Sequence, residues 1–170
     1  MGIVCRLVTD AWQFCPCCTA RLDSGEQGGL LRLACSAGCG FVHWDNPAPV
    51  LAALVEYQGH IVLARNRTWA AGAFGLITGF LERGEDPAAG VAREVKEELG
   101  LDASATTLIG VYPFARQHEV IIAYHVVGHG DIVLNEELAE FRLIAPEKLK
   151  PWNFGTGFAV SDWLARHAGV

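Results

Sequence analysis

Residues Gly79–Leu101 read GFLERGEDPAAGVAREVKEELGL. Pro87 at a first turn and Gly100 past the last predict a helix over Pro87–Leu99, with the residues before it forming a loop. At about 100° per residue, Val91, Ala92, Val95 and Leu99 share one arc, the stripe that faces a core. Glu94, Glu97 and Glu98 share a second arc about 120° away around the axis. Like charges at these spacings cost a few tenths of a kcal/mol each on an exposed helix. Hard divalent cations are one remedy, since magnesium prefers carboxylate and water oxygens. Gly90 lies on the carboxylate arc and is expected to leave room there for a ligand. Three helical glutamates alone also suit a solvated face, partly neutralised by Arg93 and Lys96.

Working outward, Val50–Tyr57 and Ile61–Ala64 flank Gln58-Gly59 and predict a hairpin. Phe74–Phe80, Thr107–Phe114, Val120–Val127 and Phe141–Ala145 are read as strands, and Phe158–His167 as a closing helix. Strands mixed with helices give an α/β fold class. Upstream, residues 12 to 45 hold five of the six cysteines. Cys15-Pro16-Cys17-Cys18 and Cys35-Ser36-Ala37-Gly38-Cys39 form C-x2-C and C-x3-C knuckles with sixteen residues between them. Four thiolates from Cys15, Cys18, Cys35 and Cys39 would close a structural zinc site. Cys17 competes with the first pair, and Cys5 and His43 are further donors. Asp45-Asn46-Pro47-Ala48-Pro49 reads as a linker, dividing the chain into a zinc-ribbon-like module (1–46) and a larger domain (47–170).

The 170 residues are 51% apolar and 19% charged, as in a globular protein. Apolar runs reach strand length, short of the ~20 residues of a membrane span. Met1–Asp10 has no basic start or long apolar core, so a cytoplasmic location is expected. A net charge of −6 argues against a nucleic-acid coat but not against a nucleotide substrate, because a bound divalent ion reverses the local field.

The 79–101 segment resembles the Nudix box, GX5EX7REUXEEXGU with U aliphatic, at every specified position. That resemblance implies a Nudix α/β/α sandwich with a mixed β-sheet, and hydrolysis of a nucleoside diphosphate linkage with magnesium or manganese. It implies Glu94 and Glu98 as direct metal ligands, Glu97 as a direct or water-mediated one, and the Gly79 carbonyl completing the shell. Arg93, grouped with the catalytic set, and Glu85 would brace the loop. By similarity Glu137, from the acidic Glu136–Glu140 stretch, is the preferred further ligand and catalytic carboxylate, with Glu140 as its neighbour. Which carboxylate serves as general base stays open.

A zinc ribbon before such a domain is similar to the NADH pyrophosphatase and ADP-ribose pyrophosphatase branch. Trp44–Pro49, Gly130–Val133 and Gly155–Leu164 add to that similarity. Two features depart from it. The branch's SQPWPFPxS stretch is Gly110–His118 here, retaining only Pro113-Phe114, and fourteen residues precede Cys15 where the branch has a large domain. The expected substrate is therefore a dinucleotide such as NADH or NAD, or ADP-ribose. Phe114, Arg116 and His118 are expected on the substrate side, Ala159 against the base through its backbone, and Trp152 as a stacking surface. The resemblance carries a homodimer with it. Competing readings are a nucleotide-sensing or partner-binding module, and removal of a dinucleotide cap from RNA, which the lack of a basic tract disfavours.

Overall fold

A computed structural model describes residues 12–167, so Cys5 and Met1–Asp10 lie outside the described residues. The chain divides into two compact units, 1–46 and 47–170. In the first, β1 (Leu22–Gln27), β2 (Leu30–Cys35) and β3 (Val42–His43) form an antiparallel sheet in that order. Its described large side chains are mostly exposed. Phe14, Leu30, Leu31 and Trp44 all face solvent. A module with so little apolar burial needs another source of stability, and a metal held by its cysteines would supply one.

The second unit contains β4 (Ala48–Tyr57), β5 (His60–Asn66), β6 (Ile77–Phe80), α1 (Pro87–Leu99), β7 (Asp102–Phe114), β8 (Glu119–His129), β9 (Leu138–Ile144) and α2 (Gly157–His167). The sheet order is β7-β8-β4-β5-β9, with β4 and β8 parallel and the other neighbours antiparallel. Gln58 and Gly59, both at positive φ, make the two-residue turn between β4 and β5. β7 is longer than its apolar pattern predicts. Its polar first half, Asp102–Thr107, still pairs with β8, through register shifts at Ala103/Ala105 and Leu108/Gly110.

β4 explains the layering. Its apolar run is continuous because both faces are covered. Leu51, Ala53 and Val55 join Val91, Val95 and Leu99 of α1 in one core. Ala52 and Leu54 join Ala159, Val160 and Trp163 of α2 in the other. Alternation along one strand thus makes the α/β/α sandwich expected from the sequence. Each fully buried Val or Leu on α1 contributes roughly 1.5–3 kcal/mol before entropic costs.

One edge of β4 is shared. Its second half pairs with β5 at Val55↔Val62, and its first half pairs with β6 at Val50↔Phe80 through Ala53↔Ile77. Ala64 of β5 and Gly75 just ahead of β6 exchange a pair of backbone hydrogen bonds, and β6 delivers the chain into the loop before α1.

Candidate active site

α1 begins at Asp86, whose carboxylate accepts hydrogen bonds from the Ala88 and Ala89 amides, and ends at Gly100 in the left-handed conformation. These caps fix its length and hence which turns face β6. The three-glutamate arc does not behave as one face. Glu94 and Glu98 are buried, each 9% exposed, whereas the Glu97 side chain is 57% exposed. Glu94 sits against β6 so closely that a Cβ on Gly79 would lie 1.9 Å from its carboxylate carbon. Glycine at 79 is required by that approach. Gly90 does not open a ligand space, contrary to the sequence expectation. A Cβ there would meet a Glu85 oxygen and a Leu51 methyl, both at 2.7 Å, so the space is already filled.

Arg93 ties the loop to the helix. Its guanidinium donates to Glu85 at 2.8 and 3.0 Å, to Glu94 at 2.8 Å, to Glu97 at 3.0 Å and to the Phe80 carbonyl at 3.3 Å. Glu85 also accepts from the Glu82 amide. The Arg93 hydrogen bonds hold the Glu85 carboxyl down at about 2. Burial pushes Glu94 up, against the pull of Arg93. Burial also pushes Glu98 up to about 8, with the charges of Glu94, Glu137 and Glu97 adding to it.

Glu137 reaches this cluster through a short relay. The Asn135 amide donates to the Glu98 carbonyl, and the Asn135 side chain accepts from the Glu137 and Leu138 amides. The Arg67 amide donates to the Glu137 carbonyl. Glu137 and Glu98 consequently line one small cleft with Asn66, Trp69, Leu76 and Thr78. Glu140 points elsewhere, in a 2.7 Å ion pair with Arg65.

Adjoining that cleft, and sharing Trp69, Leu76 and Thr78 with it, is a cavity of about 480 Å³. Trp69, Phe74, Phe114, Trp152 and Phe154 line it, together with Glu119. Phe114 and Trp152 are expected from the sequence, but Arg116 and His118 do not line it. Ala159 lies fully buried in the α2 core. Trp69, Phe74, Phe154 and Glu119 carry no motif that marks them. The Pro-Phe pair at 113–114 is the one signal pointing towards this wall.

In the first unit, the Cys15, Cys18, Cys35 and Cys39 sulfurs all lie within 4.8 Å of one another. The closest pairs, Cys18–Cys35 at 3.3 Å and Cys15–Cys39 at 3.5 Å, are near the ~3.8 Å expected across a tetrahedral zinc thiolate. The Cys39 amide and then the Cys18 thiol lower Cys35 to about 6, whereas, against a hydrogen bond from the Phe41 amide, the Cys35 and Cys15 thiols push Cys39 up to about 12. Cys17 is exposed, and neither it nor His43 joins the cluster. The donor set fits zinc.

The family model of the NUDIX domain matches residues 45–163, and the chain belongs to the Nudix family. It is similar to the NAD-capped RNA hydrolase NudC of Vibrio vulnificus, 30% identical over 85% of this chain and 55% of that protein. The Pseudomonas aeruginosa NudC is 26% identical over 93% of this chain and 58% of that protein. The chain thus spans somewhat over half the length of these relatives. Among solved structures, a NUDIX hydrolase from Nitrosomonas europaea superposes with a TM-score of 0.76 at 24% identity, covering 92% of this chain and 93% of that one. An ADP-ribose pyrophosphatase from Streptococcus suis gives 0.59 at 19% identity, over 72% and 92% of the two chains. Both share the fold.

Proposed function

We propose that this protein hydrolyses the diphosphate linkage of a nucleotide derivative, most readily a dinucleotide such as NAD or NADH, or ADP-ribose, with magnesium or manganese. The observation that carries the reading is the convergence of Glu94, Glu98 and Glu137 beside an aromatic cavity that opens from the same cleft.

The carboxylates fit a hard divalent ion. Glu98 is buried among like charges, a cost that a cation would remove. Glu94 and Glu98 would hold the ion, with Glu97, Glu137 and the Gly79 carbonyl at its margin. Once bound, such an ion neutralises diphosphate oxygens and acidifies water. Arg93 and Glu85 set the position of Glu94 and Glu97, and a carboxylate of this group takes the proton of the attacking water. The cavity beyond Thr78 would receive the group attached to the diphosphate. Phe114 supports this reading as one wall of it.

The cysteine cluster supports structural zinc, and metal-ligating rather than disulfide-bonded cysteines support a cytoplasmic location. Among the described residues, no helix is long and apolar enough to cross a membrane. The family resemblance extends to a homodimer, which sedimentation tests. The names of the NudC relatives make the dinucleotide end of an RNA a second substrate to assay, beside the small molecules.

Purified protein with magnesium is assayed against NAD, NADH, ADP-ribose, FAD, dinucleoside polyphosphates and NAD-capped RNA. Release of mononucleotide products, abolished in Glu98→Gln, is the expected result. No turnover on the whole panel, or full activity in Glu97→Gln and Glu98→Gln, overturns the proposal. Tight metal-independent binding without products would mark a sensor.

A further inference from the structure

The connection between β8 and β9, residues 130–137, has no regular secondary structure, yet it carries Glu137. A carboxylate on such a segment keeps a fixed place beside a helix only if its main chain is tied down. The ties here start at α1. The last carbonyls of a helix have no partners within it. Those of Leu99 and Glu98 accept from the Val133 amide at 2.8 Å and the Asn135 amide at 3.2 Å. The segment is thus docked on the end of the helix that supplies Glu94 and Glu98.

Asn135 also reaches forward. Its Oδ1 accepts from the Glu137 amide at 3.0 Å and the Leu138 amide at 3.2 Å, an Asx-type turn. Leu138 is buried in the core under α1, so the turn closes on a fixed point. From beyond the end of β5, the Arg67 amide donates to the Glu137 carbonyl at 2.8 Å, and its guanidinium to the Glu136 carbonyl at 2.7 Å. A register shift follows, since Arg65 pairs with Glu140 but Asn66 with Leu138. Bulges of this kind re-aim side chains beside functional sites. Glu140 goes to its ion pair with Arg65, while Glu137 lines the cleft with Glu98. Asn135 alone bonds the main chains of both cleft carboxylates.

Magnesium demands near-ideal octahedral geometry, so two carboxylates sharing it must be correctly spaced. We infer that Asn135 is a positioning residue for the metal site, setting the Glu137 carboxylate against that of Glu98 by bonding both main chains. The inference rests on the hydrolase reading above, which assigns these carboxylates to an ion. Only Oδ1 takes part in the turn, so aspartate offers the same acceptor and serine a weaker one.

The test titrates manganese(II) alone into the full chain freed of magnesium, read by electron paramagnetic resonance, with kcat and KM measured alongside. Asn135→Ala is expected to weaken manganese binding about ten-fold and to lower kcat with little change in nucleotide KM. Asn135→Asp should stay within about three-fold of wild type, with Asn135→Ser between the two. Glu137→Gln should match Asn135→Ala, and the double variant should lose no more than either alone, because Asn135 acts through Glu137. Wild-type binding in Asn135→Ala overturns the inference. So does Asn135→Asp binding as weakly as Asn135→Ala, or a double variant in which the two losses multiply, the pattern of independent contributions. If Asn135→Ala does not fold, the serine and aspartate variants, with and without Glu137→Gln, give the same comparison. Wild-type binding in Glu137→Gln also overturns the inference, by removing Glu137 from the site. The hydrolase reading survives that outcome where Glu98→Gln loses the ion, and falls with it where Glu98→Gln binds like the wild type.

Discussion

Gly79→Ala tests the closest approach in the site. The new Cβ would stand 1.9 Å from the Glu94 carboxylate carbon and 2.1 and 2.2 Å from its oxygens. Carbon atoms in contact sit about 3.5 Å apart or more, so the carboxylate must retreat by roughly 1.5 Å. Gly79 has no positive φ, and alanine therefore fits the strand backbone itself. The retreat moves a proposed metal ligand and strains its 2.8 Å bond from Arg93. A misplacement on the order of 1 Å costs about 100-fold in rate, or about 2.7 kcal/mol of transition-state stabilisation. The displaced group can swing towards solvent, so the fold should lose about 1 kcal/mol or less, a fall of roughly 2–4 °C in Tm. The assay is steady-state kinetics across a magnesium titration, with thermal melting alongside. Activity should drop about 100-fold with a raised magnesium requirement and a near-normal melt. Activity within about three-fold of wild type at every magnesium concentration would refute the role given to Glu94.

Gly90→Ala should do the reverse. Its Cβ meets Glu85 and Leu51 at 2.7 Å, so the expected loss is in melting temperature, despite a helix-propensity gain of about 1 kcal/mol. A rise in Tm would show that the two neighbours yield freely. Glu98→Gln should stabilise the metal-free protein while abolishing activity. The Glu98 carboxyl is held up at about 8 against 4.5, so its contribution is fully present below pH 4.5 and lost as pH rises through 8. Gln escapes that loss, which is about 2–3 kcal/mol at pH 7 and roughly 5–10 °C in Tm. Melts in chelator should show the gap opening between pH 4.5 and 8, and a gap constant with pH would contradict the assignment. Cys35→Ser should lose the zinc measured by elemental analysis, whereas Cys17→Ser should keep it. Equal zinc in the two variants would remove the four-thiolate site.

The sequence shows α1 clearly because three signals coincide there: an apolar stripe at Val91, Val95 and Leu99, a proline at the start and a glycine at the end. The division within its acidic arc is not visible in a helical projection. Glu94 and Glu98 turn inward because β6 and the segment around Asn135 pack on them, and Glu97 has no such neighbour. Gly90 misleads for the same reason, since its space is filled by Glu85 and Leu51 from elsewhere in the chain. The polar half of β7 escapes a periodicity search because it is a sheet-edge segment with few inward residues. Cys18 and Cys17 cannot be separated by spacing alone. Both are exposed, and only sulfur geometry separates them, since Cys18 joins the other three sulfurs and Cys17 does not.

The cavity is the least legible part, for a topological reason. Besides Val50 of β4, its walls come from Trp69–Thr78, Phe114–Ile121 and Trp152–Thr156, three stretches that look unremarkable one at a time. They meet because the parallel pairing of β4 with β8 brings Glu119 beside Ala48, while β6 takes the opposite edge of β4. The pairing of β6 with β4 also sets Gly79 against Glu94. One strand arrangement therefore positions both the carboxylates and the aromatic cavity. The box identifies the chemistry because its residues act within one helix and its preceding loop. The cavity lining is distributed across strands and loops, and for that reason the structure is needed to read it.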